Sequence, residues 1–450
     1  MCPALGGWLR GRRRGTLPGV NERGGGGRGY GWTFASLFVA TAVALVGIGI
    51  IAPVLPLYAK RFSASGFEIG IAFAAFPLSR AALGAVVGRL SDRIGRRRLI
   101  LAGLGAFTVL SLLYTRVGSL WHLGAVRFLQ GAASMMVTPI AQAYIGDITP
   151  RHRAGLMMNI FYSSMFVGVS LGPLIGGWVG ETWSHEAAFV AMSILSVLAL
   201  VMVAIWVPAD HGTQSAAGAS RAAPGPVPDL VKLRPVRAIM LFFAARGFWR
   251  QGMNTFYPLF AAATFGFGEA NIGYVLSAYF FGGAVLQIPF GLLADRFRRV
   301  PQIAIGGLGA PLLLLLIPFV RSLSGILAVM FGVGALSALS RASILAIRTE
   351  LGKTHGMGAL AGLHGSAFST GQVIGPPIAG LVADGIGLFW VFPLWSLVGT
   401  VAASVAVRWF RGWQSAGGPA CDESGEAATS LGSMRGEPGG GVDSAPLGRR

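Results

Sequence analysis

The sequence predicts an all-α membrane protein of twelve transmembrane helices, arranged as two similar six-helix bundles. Composition is the first observation: 53% of the 450 residues are hydrophobic, 12% are charged, and the mean hydropathy is +0.64. That is too apolar and too charge-poor for a soluble domain of this length. The second is a set of twelve apolar runs, each long enough to cross a hydrocarbon core of about 30 Å as a helix of about 20 residues. The third is a repeat. Gly88-Arg89-Leu90-Ser91-Asp92-Arg93-Ile94-Gly95-Arg96-Arg97 ends the second run, and a reduced copy, Gly291-Leu292-Leu293-Ala294-Asp295-Arg296-Phe297-Arg298-Arg299, ends the eighth. Asp295 lies 203 positions after Asp92, and the same offset superimposes Gly70 on Gly273, Gly131 on Gly334, and Gly172-Pro173 on Gly375-Pro376. The register holds without a gap from about residue 68 to about 177, so the likeness is a duplication.

The elements follow in order. Residues 1–29 are a basic tail, with Arg10, Arg12, Arg13, Arg14, Arg23 and Arg28 among glycines. The apolar run after it is too long for a signal-peptide core, so the tail reads as disordered and cytoplasmic. The first bundle, 30–207, holds spans near 32–58, 68–89, 98–116, 120–146, 155–180 and 187–207. A Gly-, Ala- and Pro-rich cytoplasmic linker, 208–235, leads to the second bundle, 236–410, with spans near 236–263, 270–292, 300–320, 323–347, 357–383 and 387–408. Residues 411–450 are rich in Gly, Ser and Glu without an apolar period, and they cannot bury enough surface to fold alone. The spans read as helices because only a helix or a closed barrel satisfies every backbone N–H and C=O in lipid, and they lack the dyad alternation of barrel strands. Cys2 and Cys421 lie in the two tails, so no disulfide framework staples the fold.

The net charge of +19 sits in short clusters between apolar runs and not on one continuous face, which argues against a nucleic-acid partner. It fits orientation in a bilayer. Arg93, Arg96, Arg97, Arg98, Arg151, Arg153, Lys232, Arg234, Arg296, Arg298 and Arg299 share one side, while the other holds chiefly Lys60, Arg61, Arg116 and Arg321. By the positive-inside rule both termini and the linker are cytoplasmic in a multi-pass protein of the cell membrane.

Gly88-x-Leu90-x-Asp92-Arg93-x-Gly95-Arg96-Arg97 resembles the helix 2–3 loop signature of the major facilitator superfamily. The resemblance covers about residues 30–410, since the six-plus-six count, the linker and the weaker second copy agree with it. It implies two bundles around a cavity lined by helices 1, 4, 7 and 10, rocking between inward-open and outward-open states as a functional monomer.

Gly88 and Gly95 suit close helix approach and a tight reversal. Asp92 can sit at the positive N-terminus of a neighbouring helix, in this fold helix 11 starting near Gly356, an interaction worth about 0.3–1 kcal/mol and up to ~2 when partly buried. Arg96 is placed to pair with Asp147, and the 203 offset carries Asp147 onto Glu350. Gly291, Asp295, Arg296, Arg299 and Glu350 thus form a second cluster beside that of Gly88, Asp92, Arg93, Gly95, Arg96 and Asp147. Arg298 replaces Gly95 in the second copy, so that turn is expected to differ and that cluster to matter less. Both clusters are expected to hold the cytoplasmic side shut in the outward-open state. A merely orienting role needs the arginines but not the matched acids.

Gly168-x-x-x-Gly172-Pro173-x-x-Gly176-Gly177 in helix 5 resembles the signature of the proton-coupled drug-antiporter branch, and Gly371-x-x-x-Gly375-Pro376-Pro377-x-x-Gly380 repeats it in helix 11. Small residues at four-residue spacing permit backbone-to-backbone packing and proline bends the rod, so a close contact between halves is expected. Generic membrane packing is the alternative. Arg127, which opens Arg127-Phe128-Leu129-Gln130-Gly131, resembles the arginine motif tied to proton transfer in that branch; near its helix end it could instead snorkel to water. His364, a deep side chain of the type that titrates near neutrality, is the second proton-coupling candidate, with a packing role as the alternative.

Charges at membrane depth mark cavity candidates. Arg246 and Arg250 lie four apart on one face of helix 7, near Trp249, Asn254 and Tyr257, and Arg341 in helix 10 and Arg80 in helix 2 complete the set. Helices 1, 7 and 10 carry no carboxylate at mid-depth, which points away from organic cations. The resulting reading is a proton-driven exporter of small amphipathic, neutral or anionic molecules, working in the lipid bilayer without cofactor or metal. A facilitator or importer of a metabolite or lipid, and a non-transporting receptor or scaffold, are the competing readings. The sequence contains no P-loop, HExxH or Cys/His cluster, so neither an enzyme nor an ATP-driven pump is expected.

Overall fold

The computed structural model describes residues 27–149, 154–208 and 227–415, and every regular element among them is a helix. Both tails, most of the linker, and Arg151 and Arg153 lie outside the described residues. The first half contains α1 (Gly27–Ala59), α2 (Gly66–Ile94), α3 (Arg96–Leu113), α4 (Leu120–Ile148), α5 (Ala154–Thr182) and α6 (His185–Trp206). A short helix, α7 (Val227–Lys232), precedes the second half. There α8 (Arg234–Phe265), α9 (Glu269–Val285), α10 (Gln287–Arg296), α11 (Arg299–Leu314), α12 (Leu323–His355), α13 (Met357–Ile386) and α14 (Val391–Ser415) follow. Since α9 and α10 are two parts of one span, each half has six.

That interruption corrects the sequence reading, which predicts one helix near 270–292. The chain breaks at Leu286 because Pro289 has no amide to donate to the Val285 carbonyl. The position 203 residues earlier is Val86, inside the unbroken α2.

The two faces of the bundle start their helices by different chemistry. On one face serines cap: Ser65 and Glu68 form a reciprocal box on α2, and Ser119, Ser184 and Ser322 accept from the amides of His122, Ala187 and Gly325. On the other, here the basic face, Gly95 turns α2 into α3 at φ 93° and Gly356 turns α12 into α13 at φ 95°. A Cβ is strained at such torsions, which is the physical reason for a glycine in the motif. Arg298, at φ −54°, turns α10 into α11 by a different path.

Nine of the described spans are long and apolar enough to cross a membrane by length and composition alone. The others, α4, α8 and α13, carry Arg127 and Gln130, Arg246 and Arg250, and His364 and Gln372. Polar groups of this kind are tolerated at depth when they face the bundle interior.

Among the described residues, apolar core packing joins the halves at one end. Towards the serine-capped face a single core brings Ile50, Val54 and Tyr58 of α1 together with Met253, Phe256 and Tyr257 of α8. Towards the basic face the core divides, with Leu104, Ile140 and Phe161 in the first half and Ile239, Ile303 and Ile344 in the second.

Candidate functional site

A cavity of about 240 Å³ lies between the halves. One wall is α5, through Tyr162, Met165, Phe166, Val169 and Ser170. The facing wall comes from the second half: Arg246 and Arg250 of α8, Tyr279, Phe280 and Gly283 of α9, and Gly334 and Arg341 of α12. Its shape depends on α9 and α12 touching backbone to backbone, since a Cβ on Gly334 would stand 2.0 Å from the Tyr279 carbonyl oxygen.

The arginines are held by a carbonyl, an amide and rings. Arg246 is buried, donates from Nη1 to the Ser337 carbonyl at 3.4 Å, and lies 5.7 Å from the Trp249 ring. Arg250 lies 5.6 Å from the Phe280 ring and 5.8 Å from that of Phe368. Arg341 donates to Gln287 Oε1 and stands 5.3 Å from the ring of Phe166, a cation–π contact across the halves. No carboxylate lines the cavity, and none of the three arginines forms an ion pair among the described residues.

The other cavity candidates lie elsewhere. Trp249 packs edge-on against Tyr279 behind Arg246, and Tyr257 is fully buried in the joined core. Tyr257 and Asn254 lie seven and four residues beyond Arg250, about 10 and 6 Å further along the helix towards the closed end. Arg80 donates to Ser134 Oγ at 3.0 Å and ties α2 to α4 within the first half. The cavity is therefore lined by the fifth, seventh, eighth and tenth spans, and α1 and α4 contribute nothing to it. The α5 wall carried no sequence signal beyond its Met and aromatic content.

At the serine-capped face the halves are sealed by a symmetric pair of carboxylates. Asp384 of α13 accepts from the amides of Gly66 and Phe67 that open α2, at 2.6 and 2.9 Å. Glu181 of α5 accepts from the amide of Ala270 that opens α9, at 2.7 Å. Asp384 lies 203 positions after Glu181, and Ala270 lies 203 after Phe67, so one contact repeats the other. Below them, a Cβ on Gly273 would meet the Pro173 carbonyl at 2.3 Å, and one on Gly70 would meet that of Pro376 at 2.5 Å. His185 Nε2 also lies 2.5 Å from Glu269 Oε1 across the seal, and Arg61 holds Glu186 at 3.0 Å beside it. The sequence reading missed these acids, although extending the 203 offset a few residues past 177 reaches them.

At the basic face each half carries its own ion pair. Arg96 pairs with Asp147, and Arg299 Nη1 lies 2.6 Å from Glu350 Oε1. The second pair is the better buried, with side chains 10% and 33% exposed against 19% and 46%. Arg93, Asp295 and Arg296 are exposed; the side chain of Asp92 lies outside the described residues. Gly88, Gly291 and, in α13, Gly358, Gly362 and Gly365 all face open space.

The helix 5 and helix 11 glycines are placed differently from the contact between halves expected of them. Gly168, Gly172 and Gly176 pack on Ala42, Gly49 and Ile50 of α1, and Gly371 and Gly375 pack on Ala244 and Phe248 of α8, all within one half. The contacts across the halves use the prolines' carbonyls and the next turn, Gly177 against Glu269 and Gly380 against Gly66. The reason is rotational: residues four apart share one face, and that face is turned to the neighbour in the same half.

Arg127 is buried between the rings of Phe73 and Phe76, at 5.2 and 4.8 Å, two turns from the serine-capped start of α4. His364 lies two turns from the start of α13 on the basic face, packed on Phe243, with Arg348 Nη1 at 2.9 Å from its Nδ1. Arginine only donates, so in this contact Nδ1 is the acceptor. The two candidates for proton coupling thus stand at opposite ends of the bundle.

The model of the Major Facilitator Superfamily matches residues 37–268 and again residues 239–435. The chain belongs to the Major Facilitator Superfamily. Superfamily relatives include the quinolone resistance protein NorA of Staphylococcus aureus, 27% identical over 369 residues, which span 80% of this chain and 92% of NorA. An MFS-type transporter of Methanocaldococcus jannaschii is 26% identical over 358 residues, 78% of this chain and 91% of that one. Among solved structures, a bacterial homologue of the human lysosomal transporter Spinster, inward-facing and unoccupied, superimposes with a TM-score of 0.74 at 14% identity, over 87% of this chain and 99% of that one. A variant of the nucleoside transporter NupG gives 0.69 at 13% identity, over 84% and 100%. At such identities the structures speak for the fold alone. This superfamily member is a multi-pass membrane transporter, not an enzyme, and resembles the drug:proton antiporter branch.

Proposed function

We propose that the protein exports small amphipathic molecules, neutral or anionic, in exchange for protons by alternating access. One observation carries this reading: the cavity lies between halves sealed at one face by Asp384 and Glu181, while their apolar cores separate towards the other. Coupled transport requires a path open at one end at a time. The arginine clusters support an open end that faces the cytoplasm of the cell, with both termini on that side. This conformer would then collect substrate from the cytoplasm. In the alternate state the Gly88–Arg97 loop would close on the start of α13, and the Gly291–Arg299 loop on the start of α5, the position 203 residues earlier. One chain supplies both halves, so the unit is a monomer.

The glycine–proline motif of α5, and kinship to a protein named for quinolone resistance, support the outward direction. The test is uptake into inverted membrane vesicles under an imposed ΔpH, with a panel of amphipathic compounds. Accumulation that collapses with the proton gradient and with Arg127→Ala is the expected result; accumulation indifferent to both would refute proton coupling. The wide separation of Arg127 from His364, with no carboxylate in the cavity between, favours facilitated movement without a coupling ion as the second reading. In that case transport stops at equal concentrations whatever the ΔpH.

A further inference from the structure

We infer that the cavity is built for an organic anion, whose charged end lies among Arg246, Arg250 and Arg341 and whose apolar body lies against Met165, Phe166 and Val169 of α5. The inference rests on the transport reading and names its substrate class.

Arginine keeps its charge in a protein, so three permanent cations line one 240 Å³ space that no acid lines among the described residues. At the basic face the chain gives Glu350 to Arg299 and Asp147 to Arg96, whereas the buried Arg127 lies between rings. In the cavity it supplies rings, a carbonyl and an amide, none of which carries the opposite charge. An anionic ligand completes the pairing.

Each guanidinium has five N–H groups in a planar fork. Arg246 uses one on a carbonyl at 3.4 Å, and Arg341 uses one on Gln287 while its buried Nε has no partner. The buried hydroxyl of Ser170, on the opposite wall, is likewise unpartnered. Aromatic rings 5.3–5.8 Å from the guanidinium carbons fix their positions while leaving N–H edges free for bidentate contact with a carboxylate, sulfonate or phosphate.

All three cations belong to the second half, whereas α5 of the first half offers mainly apolar surface. A ligand with a charged head and a flat apolar body spans both walls, and it meets them where Arg341 already lies on Phe166. A symmetric cation or a polar neutral solute matches neither wall.

Three probes that share one ring system test the idea: naphthalene-2-sulfonate, naphthalene-2-carboxamide and naphthalen-2-yl-trimethylammonium. Equilibrium dialysis against the purified full-length protein should give saturable sulfonate binding at least tenfold tighter than carboxamide binding, with the ammonium weakest. Arg250→Gln and Arg341→Gln should each weaken the sulfonate tenfold or more and the carboxamide less than twofold, while Phe166→Ala weakens both alike. Arg250→Lys should retain part of the preference. Each variant is checked for a monodisperse elution profile, and Arg250, whose contacts among the described residues are with rings, remains the decisive position if Arg341→Gln fails to fold. Equal affinity for the three probes, or sulfonate binding unchanged in Arg250→Gln, would overturn the site. Sulfonate binding without ΔpH-driven movement in proteoliposomes would remove the export reading and leave the anion site standing; movement of the ammonium probe without sulfonate binding would do the reverse.

Discussion

Asp384, in the last turn of α13, binds both amides that open α2, with Oδ1 2.6 Å from Gly66 N and Oδ2 2.9 Å from Phe67 N. A carboxylate at a helix N-terminus meets free N–H groups and the positive end of the dipole together. The donor helix belongs to one half and the acceptor to the other, so the interaction exists only while the seal is shut. Glu181 repeats it on Ala270. Asp384→Asn replaces one accepting oxygen by a donor, and Glu181→Gln removes the charge. Because Asp384 is exposed, each change should cost the closed seal only about 0.5–1 kcal/mol, and the pair about twice that if independent. Spin labels at Arg116→Cys and Arg321→Cys, on the two halves at this face, should report a larger open population in each variant and the largest in the double. An unaltered distance distribution in the double variant would show that the acids do not hold the seal.

The glycines beneath the acids should act in the same direction more strongly. A methyl on Gly273 or Gly70 meets a backbone carbonyl at 2.3 or 2.5 Å, which no rotamer change can relieve. Overpacking of this kind costs about 1–3 kcal/mol, so Gly70→Ala and Gly273→Ala should also open the seal. Gly88 faces open space in this conformer. Gly88→Ala should leave the present state unstrained and penalise the one in which the loop closes, moving the same label distances the opposite way.

Much of this was legible because one number organises the chain. The twelve spans followed from run length, the loop motif set Arg96 against Asp147, and the 203-residue offset carried that pair onto Arg299 and Glu350. The break at Leu286 was not legible: Pro77 and Pro173 lie inside unbroken helices, so a proline alone does not announce an interruption. The cavity wall on α5 was hidden for a different reason. A helix packed on several sides shows no single apolar stripe, so its rotation, and hence which of Gly172 or Phe166 faces the centre, cannot be read from periodicity. Glu181 and Asp384 looked like ordinary acids at helix ends. Their meaning lies in the other half of the molecule.

The loop acid gives a prediction on transport itself. Asp92 lies in the last turn of α2, and in the closed cytoplasmic state it should cap α13, which begins at Met357. Asp92→Asn keeps the size and removes the charge. Transport should be abolished or strongly reduced while the amount of protein in the membrane stays normal. Full transport by this variant would reduce the motif's acid to an orientation signal.

The two ion pairs of the basic face should separate in a stability measurement. Both join helices of a single half, so each should matter in either conformational state. Removing one partner leaves the other charge without its counterion, and the penalty grows with burial, reaching about 3–5 kcal/mol for fully buried pairs and falling to about 0–1 at the surface. Arg299 is 10% exposed and has Glu350 as its ion-pair partner, whereas Asp147 is 46% exposed and water can replace much of what it gives Arg96. Glu350→Gln should therefore lower the thermal midpoint of the purified protein clearly, by about 1–3 kcal/mol of stability, and Asp147→Asn by about 1 kcal/mol or less. This reverses the ranking suggested by the stronger sequence motif in the first half. Equal shifts in the two variants, or a larger one for Asp147→Asn, would mean that burial does not set the weight of these pairs.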